Sequence, residues 1–182
     1  PKLESAENLR SQLKIPSTAR VFGRHGGWDT FNIPFVRQAV ADHARRHPED
    51  HFVFLNTEPI QGTQGWANVH YLPATLDSGE KARFLATCDV MLHARWHGET
   101  FGLAVAEFAV LGKPVITYGG SRERAHLELL GDSGVFYKSQ PELEKILRTS
   151  FPGILPGSNY QRYTDAANVD RKSTRLNSSH RT

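Results

Sequence analysis

The feature that most constrains the fold of this chain is its alternation of short apolar runs with longer segments of helical spacing. Phe52-Val-Phe-Leu55 is the clearest such run, and every residue in it is hydrophobic. Runs of this kind are typical of central strands in a parallel sheet, because helices cover both faces of the sheet. The pattern predicts strands at 20–22, 52–55, 68–72, 90–92, 115–117 and 135–137, and helices at 3–13, 30–47, 79–87, 103–111, 122–130 and 141–147. Strands that alternate with helices predict an α/β fold with a doubly wound parallel sheet.

Composition divides the chain of 182 residues into four sections. Residues 1–17 are expected to be a linker and helix that lead into the main domain, which spans residues 18–150. Residues 151–170 are rich in Pro and Gly and then polar, and residues 171–182 resemble translated sequencing-adapter read-through. We expect this last section to be a disordered, non-native tail. The chain begins at Pro1 without an initiator Met, and we expect it to be a fragment of a longer protein.

Charge and cysteine content argue against several classes of protein. The net charge is +3 and no dense run of Lys or Arg interrupts the main domain, so nucleic acid is not an expected partner. Cys88 is the single cysteine, which excludes an internal disulfide and fits a reducing compartment. Neither a signal peptide nor an apolar run of membrane-spanning length is present, and we expect a cytoplasmic protein, with membrane association of the parent left open.

Glu107 is the only charged residue between Phe101 and Leu111. It falls inside an apolar segment that predicts a buried helix, Leu103-Ala-Val-Ala-Glu-Phe-Ala-Val-Leu111. A carboxylate in such a helix is costly unless a partner neutralises it. The helix itself carries no cation, so we expect the partner of Glu107 to be a ligand.

The spacing around Glu107 favours a ligand with both phosphate and hydroxyl groups. The helix is expected to begin near Gly102, where unpaired amides and the positive end of the helix dipole favour an anion. Glu107 lies five residues further on, or roughly 7.5 Å along the axis. Glu99 lies on the loop before the helix. An anion site between two carboxylates that accept hydrogen bonds from hydroxyls suits a nucleoside-diphosphate sugar.

A second candidate site is the glycine-rich segment Phe22-Gly-Arg-His-Gly-Gly-Trp-Asp29. Its glycines let backbone approach a phosphate, and Arg24 offers a fork of donors for one. The alternative is a tight Gly-Gly turn beside a solvated Arg24. The segment has no Gly-x-Gly-x-x-Gly spacing, which argues against an NAD site.

The run from Cys88 to Thr117 resembles the donor-binding C-terminal half of retaining GT-B glycosyltransferases of family 4, the glycosyl transferases group 1. Those enzymes share its two glutamates with seven residues between them, the Phe101-Gly-Leu103 in that interval and the Gly112-Lys-Pro-Val-Ile116 that follows. The resemblance covers residues 10 to 150 and implies the Rossmann-like half of a GT-B fold. It also implies that residues 151–170 begin a crossover to an N-terminal acceptor domain that this chain lacks.

The resemblance implies roles for individual residues. Glu99 would contact the donor sugar and Glu107 the ribose, while Arg24 would bind the diphosphate, which makes Glu99 and Arg24 the expected catalytic residues. The remaining donor-binding positions are Thr100, Phe101, Gly102 and Leu103, through their amides, together with Gly23 and His93. These enzymes offset the charge of the leaving group with amides and basic residues, so no metal and no cofactor are expected. The family's lysine near Arg24 is missing, because Trp28-Asp29 stands in its place.

These observations predict a donor domain that binds a nucleoside-diphosphate sugar for retaining glycosyl transfer. Because the acceptor half is absent, we expect the chain alone to bind donor weakly and to transfer nothing. One alternative is a non-catalytic module that binds nucleotide sugars or proteins, in which the missing lysine marks lost chemistry. Another is a different Rossmann-like enzyme, such as a nucleotide-sugar epimerase or a phosphorylase.

Overall fold

Six parallel strands form one sheet at the centre of the molecule, in a computed structural model that describes residues 7–149. In chain order the strands are β1 (Val21–His25), β2 (His51–Leu55), β3 (Val69–Leu72), β4 (Val90–His93), β5 (Gly98–Glu99), β6 (Val115–Tyr118), β7 (Glu123–Arg124) and β8 (Val135–Tyr137). The sheet order is β3-β2-β1-β4-β6-β8, and β5 pairs with β7 in a separate two-stranded ribbon. All strand pairs in both sheets are parallel.

Helices cover both faces of this sheet. They are α1 (Pro34–Arg46), α2 (Ser78–Thr87), α3 (Leu103–Val110), α4 (Ala125–Leu130) and α5 (Gln140–Leu147). On one face α1 and α5 pack over Phe22, Phe52 and Ile116, and on the other α2, α3 and α4 pack over Val53, Met91 and Val115. Because both faces are covered, every residue of β1, β2 and β4 is buried. The predicted α/β fold with a doubly wound parallel sheet is confirmed.

Strand order places a topological switch point between β1 and β4. The chain proceeds from β1 to β2 and β3 towards one edge, and from β4 to β6 and β8 towards the other. In such sheets, ligands bind beyond the carboxyl ends of the strands at the switch point. His25 ends β1 and His93 ends β4, so the segments that follow these two residues border the expected crevice.

Helix α1 begins at Pro34, four residues later than the sequence predicted. Thr30 does not cap the helix, because its hydroxyl donates to Gly27 O and accepts from Arg24. The helix begins instead with Pro34 in its first turn, where a missing amide hydrogen costs nothing.

Two further helix predictions were wrong in their extent. The helix predicted at 3–13 is absent from its described part, where the chain forms turns that end with Lys14 at a φ of 56°. The helix predicted at 122–130 begins only at Ala125, because Glu123–Arg124 pairs with β5. The predicted crossover at 151–170 and tail at 171–182 lie outside the described residues. Within residues 7–149, no helix combines the length and the apolar character that crossing a lipid bilayer requires.

Candidate functional site

Glu99 occupies the connection between β4 and α3, and two side chains hold its carboxylate. His93 Nε2 lies 3.2 Å from Oε1, and Arg95 Nη1 donates to Oε2 at 2.7 Å. The other nitrogen of His93 lies 2.8 Å from the hydroxyl of Thr117 on β6. Burial acts to raise the pKa of Glu99, but the hydrogen bond from His93 and the charge of Arg95 outweigh it and lower the pKa. The carboxylate is therefore ionised and held in one orientation.

Two glycines shape this connection, and both have a positive φ. Gly98 has a φ of 79°, and a Cβ at this position would lie 2.0 Å from the carbonyl oxygen of Glu123 on β7. Gly102, the N-cap of α3, has a φ of 76°, and its Cβ would lie 3.3 Å from Cβ of His126. Glycine alone adopts these angles readily while another chain segment approaches so closely. Glu99 is thus fixed by close backbone packing on both sides.

The first turn of α3 is open to a ligand. The first hydrogen bond of the helix joins Ala106 N to Gly102 O, so the amides of residues 103–105 have no partner inside the helix. Phe101 and Leu103 are 52% and 63% exposed, and Thr100 is also exposed. Amides at the start of a helix, with the positive end of its dipole, form a favourable anion site.

Glu107 has two partners within the protein, a lysine and a histidine. Lys81 Nζ on α2 donates to Oε1 at 2.5 Å. His25 Nε2 at the end of β1 lies 3.0 Å from Oε2, within ion-pair distance but not aligned as a hydrogen bond. The expectation that the partner of Glu107 would be a ligand was therefore wrong, because Lys81 already pairs with its carboxylate. Both partners come from elements distant in the sequence, which is why inspection of the helix alone did not reveal them.

The setting of Glu107 is also less buried than predicted. Its side chain is 30% exposed, and Val110 on the same helix is exposed, so α3 buries only one face. Burial acts to raise the pKa of Glu107, but contacts with His25 and Lys81 outweigh this effect and lower the pKa. The carboxylate is ionised, and its predicted contact with a ribose stays a prediction.

Arg24 is buried and its guanidinium is engaged by the protein itself. Nη1 donates to the Asn56 carbonyl and the Thr57 hydroxyl, and Nη2 donates to the Gly27 carbonyl and the Thr30 hydroxyl. Burial lowers its pKa to about 10. Arg24 thus joins the loops after β1 and β2, and it is neither solvated nor pointed at an open phosphate site. Its predicted catalytic role would require these bonds to rearrange.

Gly23 does not lie in the site. It sits inside β1, where a Cβ would come within 2.3 Å of Cys88 Sγ. Its missing side chain makes room for Cys88 rather than for a donor. The sequence placed the strand end too early, because Arg24 and His25 break the apolar pattern although both are buried.

A pocket of about 240 Å³ opens at the carboxyl ends of β1, β2 and β3. Its lining residues are His25, Gly26, Leu55, Asn56, Ala74, Thr75, Leu76 and Lys81. Sequence reasoning missed Lys81 and Asn56. Asn56 has a φ of 49° and its amide donates to Gly26 O, which fixes the pocket's rim. A signal was available for Lys81, which is the basic residue in the first turn of the helix that follows β3.

His126 is a further buried residue that sequence reasoning did not select. Its ring lies 4.9 Å from that of His93, centroid to centroid, and its Nδ1 has no hydrogen-bond partner among residues 7–149. Burial lowers its pKa to about 4, so the ring is neutral. His126 packs behind Gly102 and so supports the turn that begins α3. The described residues contain no group of three or more His, Cys, Asp or Glu placed to hold a metal ion.

Solved structures share this fold, although no protein-family profile and no curated protein matches the sequence. WaaG, a glycosyltransferase involved in lipopolysaccharide biosynthesis, is 20% identical with a TM-score of 0.59, over 76% of this chain and 40% of that one. Alr3699/HepE from Anabaena, solved in complex with UDP-glucose, is 20% identical with a TM-score of 0.57, over the same shares. The C-terminal domain of LpcC, a glycosyl transferase group 1 family protein from Francisella tularensis, is 18% identical with a TM-score of 0.56, over 78% of this chain and 81% of that one.

This chain has the fold of a GT-B glycosyltransferase domain. It spans about two fifths of WaaG and HepE but four fifths of the separate C-terminal domain of LpcC. It therefore corresponds to one Rossmann-like half of the GT-B fold, as the sequence predicted.

Proposed function

We propose that this chain is the donor-binding domain of a retaining glycosyltransferase and that it binds a nucleoside-diphosphate sugar. The observation that carries the proposal is the placement of Glu99. Its oriented, ionised carboxylate stands at the switch point, directly before the open amides that begin α3. HepE, which shares the fold, was solved with UDP-glucose and with UDP.

In this proposal the diphosphate binds to the amides of Thr100, Phe101, Gly102 and Leu103. Glu99 accepts hydrogen bonds from donor-sugar hydroxyls, and His93 and Arg95 hold it in place. Glu107 accepts hydrogen bonds from the ribose. Catalysis would then consist of orienting the sugar and stabilising the departing diphosphate, with no metal and no covalent nucleophile.

The first test is binding of UDP, GDP and their sugars, measured by isothermal titration calorimetry. The wild-type chain is expected to bind one nucleotide and its sugar, without transferring the sugar to added acceptors. Glu99→Gln should lower the affinity for the nucleotide sugar about tenfold or more, since it removes a charged acceptor from the sugar. The affinity for the free nucleotide should change little. Equal losses of affinity for both ligands would show that Glu99 does not contact the sugar. Absence of all nucleotide binding would contradict the proposed function.

A second candidate is a non-catalytic module that binds nucleotide sugars. The engagement of Arg24 by four neutral oxygens of the protein favours it, because this cation is not presented to a diphosphate. Joining this chain to an acceptor domain distinguishes the two. Transfer with the donor's anomeric configuration retained supports the first candidate, and donor binding without transfer supports the second.

A further inference from the structure

The cations at the carboxyl edge of the sheet differ in how freely they can meet a ligand. Arg24 is 4% exposed, and its terminal nitrogens all donate within the protein. Arg95 is paired with Glu99. The amides that begin α3 offer about half a positive charge, which is less than a diphosphate requires. A nucleoside diphosphate bound there would need a further cation.

Lys81 is placed to supply that charge. It lines the 240 Å³ pocket at the carboxyl ends of β1, β2 and β3, and its side chain is 35% exposed. Its ammonium is a point charge on a flexible stem, which can change partners without moving the backbone. In the structure its partner is Glu107, the residue proposed to bind the ribose.

Glu107 does not depend on Lys81 alone. The side chain of His25 is 9% exposed and lies 3.0 Å from the other carboxylate oxygen. The ring stacks on Phe108 and meets Phe84 edge-on, so it is fixed by packing. If ribose hydroxyls took the place of Lys81, Glu107 would keep a neighbour that stabilises its charge.

We infer that Lys81 is a phosphate ligand that exchanges partners on donor binding. It leaves Glu107 as the ribose hydroxyls reach that carboxylate, and it then contacts the diphosphate at the start of α3. Lys81 thereby supplies from α2 a positive charge that the buried, fully engaged Arg24 does not present. This inference rests on the proposed function and assigns a phosphate contact within the same site.

Calorimetry with a nucleoside and its diphosphate tests the exchange, using uridine with UDP and guanosine with GDP. Lys81→Met should lower the affinity for the diphosphate of the bound pair about tenfold or more, because the lost contact is to phosphate. The affinity for the nucleoside should stay within about twofold. Lys81→Arg should recover part of the loss. Lys145→Met, which removes an exposed lysine on α5, is the matched control and should change neither affinity.

Glu107→Gln supplies the complementary measurement. It should lower the affinity for the nucleoside. The ratio of diphosphate affinity to nucleoside affinity should stay the same or increase, because Lys81 is released from Glu107. Equal losses of nucleoside and diphosphate in Lys81→Met would show that Lys81 only supports Glu107, and no loss would show that it is a bystander. Either result overturns the inference and leaves the proposed function standing. If the wild-type chain binds neither pair, the proposed function fails and this inference fails with it.

Discussion

The two glutamates of the site are held in different ways at the scale of single residues. Glu99 is bound by His93 and by Arg95, four residues before it, whereas Glu107 is bound by partners from α2 and β1. In both cases burial opposes ionisation and the partners overcome it, so both pKa values lie below the ordinary 4.5. The stability that these partners contribute is present above that value and is lost as the pH falls through the lowered pKa values.

His126 makes the stability of the fold depend on pH. Burial lowers its pKa from 6.5 to about 4, so between these values the unfolded chain binds a proton that the native protein does not. The free energy of unfolding should therefore fall as the pH drops from 6.5 to about 4, with His126 contributing about 3 kcal/mol at most. Urea denaturation at several pH values gives the free energy of unfolding as a function of pH. This dependence should be shallower for His126→Gln than for the wild type. Replacing the exposed His97 by Gln is the control and should leave the pH dependence unchanged. The same pH dependence in wild type and His126→Gln would contradict the contribution of His126 to stability.

At the scale of elements, the small ribbon of β5 and β7 positions the loop that carries Glu99. It is only two residue pairs long, yet it joins the loop before α3 to the start of α4. Gly98 allows this pairing because any side chain would meet the Glu123 carbonyl. The position of Glu99 therefore depends on a backbone contact rather than on the apolar core.

Gly98→Ala tests this dependence on backbone packing. The substitution adds left-handed strain and a clash with Glu123 O, and we expect it to destabilise the protein by about 3 kcal/mol or more. Gly65→Ala is the matched control, because Gly65 has a φ of 84° with no atom within 4 Å of the added Cβ. Gly65→Ala should lower the free energy of unfolding only by the backbone strain, about 1 kcal/mol. Equal losses of stability in urea denaturation would show that the contact with Glu123 has no importance.

Elements defined by local apolar patterns could be predicted from the sequence. Phe52 to Leu55 falls within β2, and the apolar helix around Glu107 is α3 to within one residue. Features set by distant contacts could not be predicted. The end of β1 was missed because Arg24 and His25 are polar residues whose burial depends on partners elsewhere in the fold. Lys81 and His25, the partners of Glu107, were missed for the same reason.

At the scale of the whole molecule, the two ends of the sheet carry different groups. The carboxyl end carries Glu99, Glu107 and the 240 Å³ pocket, whereas the opposite end carries a network of ion pairs and hydrogen bonds. Arg20 pairs with Asp50 at 2.5 Å and donates to the Leu147 carbonyl at the end of α5. His43 on α1 lies 2.7 Å from the same Asp50. The opposite end also has a pocket, of about 590 Å³, so what distinguishes the carboxyl end is the pair of glutamates beside the start of α3.

Cys88 reports on the integrity of the whole sheet. It is fully buried against Gly23, and burial raises the pKa of its thiol well above the usual range. Because only the thiolate reacts readily, labelling with a thiol reagent should require opening of the core and should follow global unfolding in a urea series. Labelling in native buffer as fast as in the denatured chain would contradict the described packing. The chain has no other cysteine, so the signal is specific.

The most direct test of a diphosphate site at the start of α3 is NMR titration of the ¹⁵N-labelled chain with UDP-glucose, UDP and uridine. The proposed function predicts that the amides of Thr100 to Leu103 shift with both diphosphates and much less with uridine, and that the surroundings of Glu99 shift further with UDP-glucose. If the diphosphates instead shifted amides at the opposite end of the sheet, around Arg10 and Lys113, or shifted none, the assignment of this domain to nucleotide-sugar binding would be contradicted.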